Sequence, residues 1–481
     1  MLSKKTSVWN NLDWISILLY LLLVTAGWFS ICGASFEFDS VGWFNPSGRP
    51  GAQLIWIGLS FVLIFVILML DANFFSVFAY FIYAAIILLL IITIFVAPDI
   101  KGSRSWLFIG TMRVQPAEFA KFAVALALAK YMSAYGFRLK YLKSYLIVLA
   151  IIATPIICII MQREAGSALM FLAFFFMLYR EGMSGYVLLG GISAMTFFVL
   201  SLKYSDVIFG FTPIGEMLVL AIVQIMTLAI AYSVKPNAIQ LKISAGVTAG
   251  AYILGIAVSF FVQFNFVWIA WGLMLLTAGY LVYLSLKNWV TQYLLVLLFM
   301  LLSAGFLYSV DYVFDKVLEP HHQTRIKVVL GLEDDPRGVG YNVNQSKIAI
   351  GSGGFLGKGF LNGTQTKLKY VPEQATDFIF CTVGEEEGFA GAALVVIAFT
   401  ILIIRIYILA EKQKNAFARI YGHCTASLFF VHFLVNIGMV VGLTPVIGIP
   451  LPFFSYGGSS LWAFTILLFI FLRLDAARKE R

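Results

Sequence analysis

The chain has 481 residues, of which 61% are hydrophobic and only 12% carry a charged side chain. A soluble domain carries about 25% charged residues, so this composition excludes an ordinary soluble protein. Apolar runs of about 18 residues or more recur from end to end, which predicts membrane-spanning helices and excludes a barrel. The net charge of +9 comes from Lys and Arg spread over short inter-helix segments, which does not indicate nucleic-acid binding.

The apolar runs, taken in chain order, predict an all-α polytopic membrane protein with about fourteen spans. The first run, 14–34, is too long for a signal peptide and is interpreted as a span. The others begin near residues 52, 74, 116, 142, 165, 184, 215, 243, 265, 290, 391, 417 and 455. The segments assigned to the cytoplasm hold 17 Lys and Arg, against six in the short outer loops. This bias predicts two cytoplasmic termini and places 311–387 outside.

The polar segment 311–387 holds 11 of the 24 acidic residues, and a connection of this length is typical of a functional loop. Glu333, Asp334 and Asp335 precede Pro336, which favours extended backbone at Asp335. Adjacent carboxylates repel one another, so one could have a raised pKa and act as a general base. A solvated acidic turn and a divalent-cation site are the alternatives.

Charged residues also occur at the predicted membrane surface before and within the span that begins at 116. Glu118 and Lys121 are three residues apart and share a helix face, where buried charges are costly. With Arg104 and Arg113 nearby, in a loop that also carries Trp106, they predict a cationic mouth for phosphate or pyrophosphate. The alternative is an ion pair that only holds helices together.

Two other outer segments carry weaker signals. Glu164 precedes the start of a predicted helix, where a carboxylate either caps the helix or takes part in a site. The prolines and glycines of 444–460 predict irregular backbone at membrane depth, which is tolerated where it packs on protein. The four cysteines show no paired spacing and are interpreted as buried hydrophobic residues.

Several long motifs, in order, give the chain a resemblance to a known family. They are QPAEFAKFA (115–123), QREAGSAL (162–169), DPRGVGYNVNQSKIAIGSGGFLGKGFLNGTQ (335–365), VPEQATDFIF (371–380) and GLTPVIGIPLPFFSYGGSS (442–460). With these motifs the chain resembles the SEDS family of bacterial cell-wall polymerases, which includes RodA, FtsW and SpoVE. The GKGFLNGTQ wording favours the elongation member, RodA.

The resemblance implies a peptidoglycan glycosyltransferase that polymerises lipid II and releases undecaprenyl pyrophosphate. Asp335 would be the base or metal-assisted activator, and a divalent cation, Mg²⁺ or Mn²⁺, is left open. Arg104, Arg113 and Lys121 would stabilise the pyrophosphate. The expected cleft residues are Trp106, Glu118, Lys358, Glu373 and Asp377.

The resemblance also implies partners and a location. The expected partners are a class B penicillin-binding protein, which would supply the transpeptidase, and membrane proteins of the elongation complex, with no nucleic acid. The expected location is the bacterial cytoplasmic membrane.

The chain departs from the family pattern in three places. About four extra helices fall in 205–310, so the predicted division is a core over 1–204, this insertion, a large extracytoplasmic catalytic loop over 311–390 and a second core over 391–481. Arg163-Glu164 stands where Pro-Asp is common, and Ala375 stands where the family usually has His. The inserted helices are interpreted as a partner-docking surface because they carry little charge.

Three other functions are compatible with the residues. Intramembrane charges and broken outer segments also suit a lipid II flippase or transporter, although its gates would be expected on both faces. A non-catalytic scaffold would not need Asp335. A division or sporulation paralogue would share the chemistry and differ in its partners.

Overall fold

The computed structural model describes residues 8–35, 43–100, 102–110, 112–205, 207–209, 211–234, 239–259, 264–318, 320–333 and 339–480. Within these ranges the regular structure is almost entirely helical, which confirms the predicted fold class. The first half contains α1 (Val8–Asn11), α2 (Trp14–Ala34), α3 (Arg49–Met69), α4 (Ala72–Val96), β1 (Leu107–Ile109), β2 (Met112–Val114), α5 (Pro116–Met132), α6 (Leu142–Met161), α7 (Ala165–Leu169), a 3₁₀ turn (Met170–Ala173), α8 (Phe174–Arg180), α9 (Gly185–Lys203), β3 (Ile208–Phe209), β4 (Thr212–Pro213) and α10 (Ile214–Val234).

The second half continues the helical pattern without further strands in the described ranges. It contains α11 (Ile239–Ser259), α12 (Val267–Asn288), α13 (Gln292–Tyr312), a π turn (Val313–Val317), α14 (Pro320–Leu330), α15 (Val339–Ser352), α16 (Thr364–Lys367), α17 (Ile379–Glu386), α18 (Gly388–Glu411), α19 (Ala416–Val441) and α20 (Gly458–Glu480). Each pair of strands, β1–β2 and β3–β4, forms an antiparallel hairpin.

Eleven of the described helices are long and apolar enough to cross a membrane. The first of them is α2, which confirms the predicted first span. Helices also occupy the other three predicted positions, namely α5, the composite of α7 and α8, and α11. The total of fourteen spans stays a prediction.

Polar residues determine where several of these helices begin and end. Asp13 caps α2, because its carboxylate accepts a hydrogen bond from the backbone N–H of Ser16 at 3.1 Å. The same carboxylate forms an ion pair with Arg405 of α18 at 2.5 Å, which ties the two helices together. Asn415 caps α19, and Gly442 ends it in the left-handed conformation with φ 79°.

The described chain divides into two compact units, 1–183 with 336–481 and 184–335. In the first unit, α5 packs against α4, α6, α19 and α20, and most of its residues are buried. A helix that is covered on all sides holds its side chains in fixed surroundings. Glu118 and Lys121 therefore lie inside the protein and not in lipid.

The second unit contains α9 to α14 and has its own apolar core. Phe197, Val223, Met274 and Met300 are among the buried residues contributed by α9, α10, α12 and α13. Helix α11 packs against α10 and α12. This unit includes α9. The predicted division of the chain into domains stays a prediction.

The predicted catalytic loop contains the short helices α14 to α17 as well as turns. Helix α17 is buried along its whole length, and α15 packs against it. Gly353 lies so close to the carbonyl oxygen of Gly384 that an added Cβ would overlap it. Gly357, with φ 79°, lies as close to the carbonyl oxygen of Glu386. These glycines allow two backbones to pack closely.

Candidate active site

A buried ion pair lies at the start of α5. Lys121 Nζ lies 2.8 Å from Glu118 Oε1, and only 3% of either side chain is exposed. The pair forms because positions i and i+3 share a helix face, as the sequence predicted. A charge at this depth needs a compensating partner, and each residue provides one for the other.

His432 of α19 is a third polar residue in contact with this pair. Its Nε2 lies 3.0 Å from Lys121 Nζ, and its ring packs edge-on against Phe464 of α20 with centroids 4.8 Å apart. Lys121 Nζ also lies 4.8 Å from the centroid of Phe464, within the range of a cation–π contact. The ammonium group therefore contacts a carboxylate, an imidazole and an aromatic face from three helices.

Glu164 is a further member of the polar cluster formed by Glu118, Lys121 and His432. Its Oε1 accepts a hydrogen bond from Gln115 Nε2 and another from Ser167 Oγ at 2.9 Å. Burial raises the pKa of Glu164, and the charges of Glu118 and Lys121 are close enough to act on it. Its side chain does not cap α7 through a backbone N–H. Glu164 is thus part of the polar cluster and does not act as a side-chain cap of α7.

The predicted cationic residues before α5 lie on exposed segments. Arg113 belongs to β2, pairs in register with Phe108 of β1, and lies 5.3 Å over its ring. Arg104 precedes the hairpin, with Nε 3.9 Å from Asp99 Oδ2 and 57% of its side chain exposed. Trp106, which lies between them in the sequence, is partly buried. Both guanidinium groups are thus accessible to an anion, while Lys121 is enclosed.

A hydroxyl group at the start of α20 ties the hairpin to that helix. Ser459 Oγ accepts a hydrogen bond from the backbone N–H of Gln115 at 3.2 Å and donates one to the carbonyl of Arg113 at 3.2 Å. The backbone N–H of Arg104 donates to the carbonyl of Gln162 at 2.9 Å. These bonds hold the two arginine-bearing segments against the membrane helices.

Lys358 forms an internal ion pair. Its Nζ lies 2.8 Å from Oε1 of Glu385, whose side chain is fully buried. Glu385 also accepts the backbone N–H groups of Gln365 and Thr366 at 2.8 and 2.9 Å. Burial alone raises the pKa of Glu385, but the hydrogen bonds from Lys358 and these two N–H groups lower it overall. Lys358 thus holds the 358–367 turn on α17.

Glu373 and Asp377 lie in a tight turn that is tied to α19. Glu373 adopts the left-handed conformation with φ 52°, and its carbonyl accepts the N–H groups of Thr376, Asp377 and Phe378. Asn436 Nδ2 donates to the carbonyls of Asp377 and Ile449 at 2.9 and 2.6 Å. The turn is therefore held in one conformation by a buried amide.

A second buried carboxylate, Glu386, faces α2. Its two oxygens lie so close to Gly33 that any Cβ at that position would collide with them. Burial, together with the nearby carboxylates of Glu385 and Glu387, raises the pKa of Glu386 to about 7. Glu386 is therefore poised to titrate near neutral pH.

Asp335, the predicted base, lies outside the described residues, so its role and its surroundings stay predictions. Glu333 is described and is exposed. Among the described residues, no group of three His, Cys, Asp or Glu side chains could hold a metal ion. The predicted divalent cation also stays a prediction.

The spacing of Glu118 and Lys121 predicted their ion pair, but not the contact of His432 with Lys121 or of Glu385 with Lys358. His432 lies in an apolar run, and Glu385 is one of three adjacent glutamates. An isolated polar residue within an apolar run was the available signal for His432. The partners of both residues are too distant in sequence to be inferred from spacing.

Comparison with known proteins places these features in a family. The FTSW_RODA_SPOVE family, described as cell cycle protein, matches residues 13–209 and 208–480. The matched ranges therefore continue through the segment interpreted as an insertion. The peptidoglycan glycosyltransferase RodA of Treponema pallidum is 28% identical over 462 residues, which cover 95% of this chain and 97% of that protein.

Two further comparisons agree with this result. The peptidoglycan glycosyltransferase MrdB of Escherichia coli strain K12 is 44% identical over 145 residues, which cover 30% of this chain and 39% of MrdB. A solved chain from a peptidoglycan synthase complex that coordinates polymerization and crosslinking has the same fold. It shows a TM-score of 0.61 at 23% identity and covers 97% of this chain and 98% of its own. This chain belongs to the FtsW/RodA/SpoVE family of cell cycle proteins.

Proposed function

We propose that the chain is a peptidoglycan glycosyltransferase that polymerises lipid II during cell elongation. The observation that carries the proposal is the alignment with the Treponema pallidum glycosyltransferase RodA over 95% of this chain and 97% of that protein. A match of this extent includes both the membrane helices and the polar segment, and so concerns the whole protein.

The proposed reaction is a glycosyl transfer with an anionic leaving group. A sugar hydroxyl oxygen attacks the anomeric carbon, the bond from that carbon to the pyrophosphate oxygen breaks, and undecaprenyl pyrophosphate leaves with the electron pair. Asp335 accepts the hydroxyl proton. Positive charge nearby stabilises the negative charge that develops on the leaving pyrophosphate.

The described structure supports different roles for the exposed arginines and the buried lysine. Arg104 and Arg113 are exposed and can reach a pyrophosphate, and a guanidinium group binds such an anion through two parallel hydrogen bonds. Lys121 is enclosed by Glu118 and His432, so it contributes to the electrostatic potential near the site and to the packing of the helices. Trp106, Glu373 and Asp377 are proposed to line the cleft, and Lys358 to hold the loop that forms it.

A transpeptidase partner is part of the proposal. The solved chain with the same fold comes from a synthase complex in which polymerization and crosslinking are coordinated. The segment 311–387 has no Ser-x-x-Lys motif for crosslinking, so a class B penicillin-binding protein would supply that step. Both termini are proposed to be cytoplasmic, and the reaction to occur on the outer face of the cytoplasmic membrane.

The test is polymer formation from labelled lipid II by the purified full chain, with and without the transpeptidase and divalent cation. Wild type, Asp335→Asn and the neighbouring control Glu333→Gln should be compared at equal lipid II binding. Polymer from wild type and the control, with none from Asp335→Asn, is the expected result. Equal polymer from Asp335→Asn would remove the proposed base, and none from wild type under any condition would favour a flippase.

A further inference from the structure

A groove opens between α11 and α12 in the second unit. Its volume is about 380 Å³, and its lining is mostly apolar. Along its length the groove is lined by Ile243 and Val247 of α11 and by Leu273 and Leu276 of α12. Grooves that hold a small molecule commonly measure about 300–1,000 Å³, so this one can admit part of an acyl chain.

Cations lie at one end of the groove. Helix α11 ends at Ser259 and α12 begins at Val267, so the two helices joined by this short connection run in opposite directions, and Ile243 lies at the same end of the groove as Tyr283. Lys242, next to Ile243, and Lys287, one turn beyond Tyr283, therefore lie at the same end. Both are exposed, and Lys287 Nζ lies 5.3 Å over the ring of Tyr283. The groove is thus apolar along its length and cationic at its mouth.

Hydrogen-bonding groups without partners line or adjoin the same groove. The hydroxyl of Tyr280 is buried and has no hydrogen-bond partner among the described residues. Gln224 donates to Thr277, a lining residue, at 2.5 Å, while its amide oxygen has no partner in the described part of the chain. Since a buried polar group without a partner is costly, a ligand that bonds to Tyr280 would be stabilised here.

We propose that this groove binds an anionic phospholipid. Its phosphate would contact Lys242 and Lys287, its ester region would accept a hydrogen bond from Tyr280, and an acyl chain would lie along Leu273 and Leu276. Basic pockets between membrane helices recognise anionic head groups in this way. The charge pattern favours a lipid over a helix of a partner protein, because an apolar helix would leave both ammonium groups without an anion.

The first experiment measures which lipid the protein retains. The full chain is reconstituted with equal amounts of phosphatidylcholine and phosphatidylglycerol, extracted in mild detergent, and its bound lipid is quantified by mass spectrometry. Lys242→Gln with Lys287→Gln should lower the retained phosphatidylglycerol on the order of tenfold. The matched control Lys140→Gln with Lys143→Gln removes the same charge from exposed positions in the first unit and should change nothing.

Filling the groove tests the acyl-chain contact separately. Leu276→Trp occupies the groove and should lower the retained lipid, whereas Leu275→Trp changes the adjacent residue, which is 70% exposed and does not line the groove. Equal retention by all four variants would overturn the proposal. Co-purification of a membrane protein that competes with the lipid would assign the groove to that partner.

A third measurement uses wild-type protein, so it does not depend on how well the variants fold. Phosphatidylglycerol with a photoreactive acyl chain should label peptides within 243–248 and 273–283. Even labelling over all lipid-facing helices would overturn the proposal.

Discussion

Lys121 Nζ lies 2.8 Å from Glu118 Oε1, one helical turn away, with both side chains almost fully buried. Removing one member of such a pair leaves the other charge without compensation. Lys121→Met should therefore lower the free energy of unfolding by about 3–5 kcal/mol. Glu118→Gln with Lys121→Met should recover much of that loss, because no lone charge is left. Thermal unfolding in detergent measures both.

The control for this cycle is Lys130→Met. Lys130 lies in the last turn of the same helix, its Nζ contacts the hydroxyl of Ser76 at 3.3 Å, and it forms no ion pair with the residues that the structure describes. We expect a change of less than about 1 kcal/mol there. A Lys121→Met variant as stable as the double variant would show that Glu118 without its partner costs no stability.

Substitutions of Lys358 can distinguish a structural role, in which it pairs with Glu385, from direct contact with the substrate. If Lys358 holds the 358–367 turn, Lys358→Met should lower the free energy of unfolding by roughly 1–3 kcal/mol, since Glu385 loses a charged hydrogen bond. Lys358→Arg should retain part of that stability. A loss of lipid II polymerisation at unchanged melting temperature would instead indicate direct contact with substrate.

Two glycines of the same segment offer a matched comparison. Gly353→Ala places a Cβ onto the carbonyl oxygen of Gly384 and should destabilise the protein by about 1–3 kcal/mol. Gly351→Ala meets nothing within 4 Å among the described residues, and alanine there should be neutral or slightly stabilising. Similar melting temperatures for the two variants would contradict the close packing of α15 against α17.

Glu386 should make stability depend on pH. Its pKa in the folded protein is raised to about 7 from an ordinary value of 4.5, so folding favours the protonated form. The contribution is complete below pH 4.5 and is lost as the pH rises through about 7. Relative to Glu386→Gln, wild type should lose roughly 1–3 kcal/mol between about pH 5 and about pH 8.

The variant Glu333→Gln controls for this pH comparison, because Glu333 is exposed. It should follow wild type at both pH values. Burial also raises the pKa of Glu387 and Glu164, so the difference between wild type and Glu386→Gln is the quantity that isolates Glu386. An unchanged difference across the range would contradict the raised pKa.

Local patterns in the sequence predicted the features that depend on neighbours along the chain. The spacing of Glu118 and Lys121 was enough to place them on one face, and the apolar run 14–34 was enough to predict α2. The irregular backbone after Gly442 was also predicted from its prolines and glycines. Each of these follows from the geometry of one helix or one turn.

Contacts between distant segments could not be predicted in this way. His432 lies 311 positions from Lys121, and Glu385 lies 27 positions from Lys358. The local sequence does not determine which helices pack against each other. The burial that raises the pKa of Glu386 arises only when α17 packs against α2. The roles of Arg104, Arg113 and Asp335 stay predictions, since they concern a substrate.

The position of α5 has a consequence for how the protein enters the membrane. This helix has 17 residues, fewer than the roughly 20 that cross a bilayer comfortably, and it carries two charges near its start. Its stabilising contacts include His432 of α19 and Phe464 of α20, which are synthesised more than 300 residues later. Stable integration of α5 should therefore await the C-terminal helices, and chains truncated before α19 should leave this segment accessible to protease.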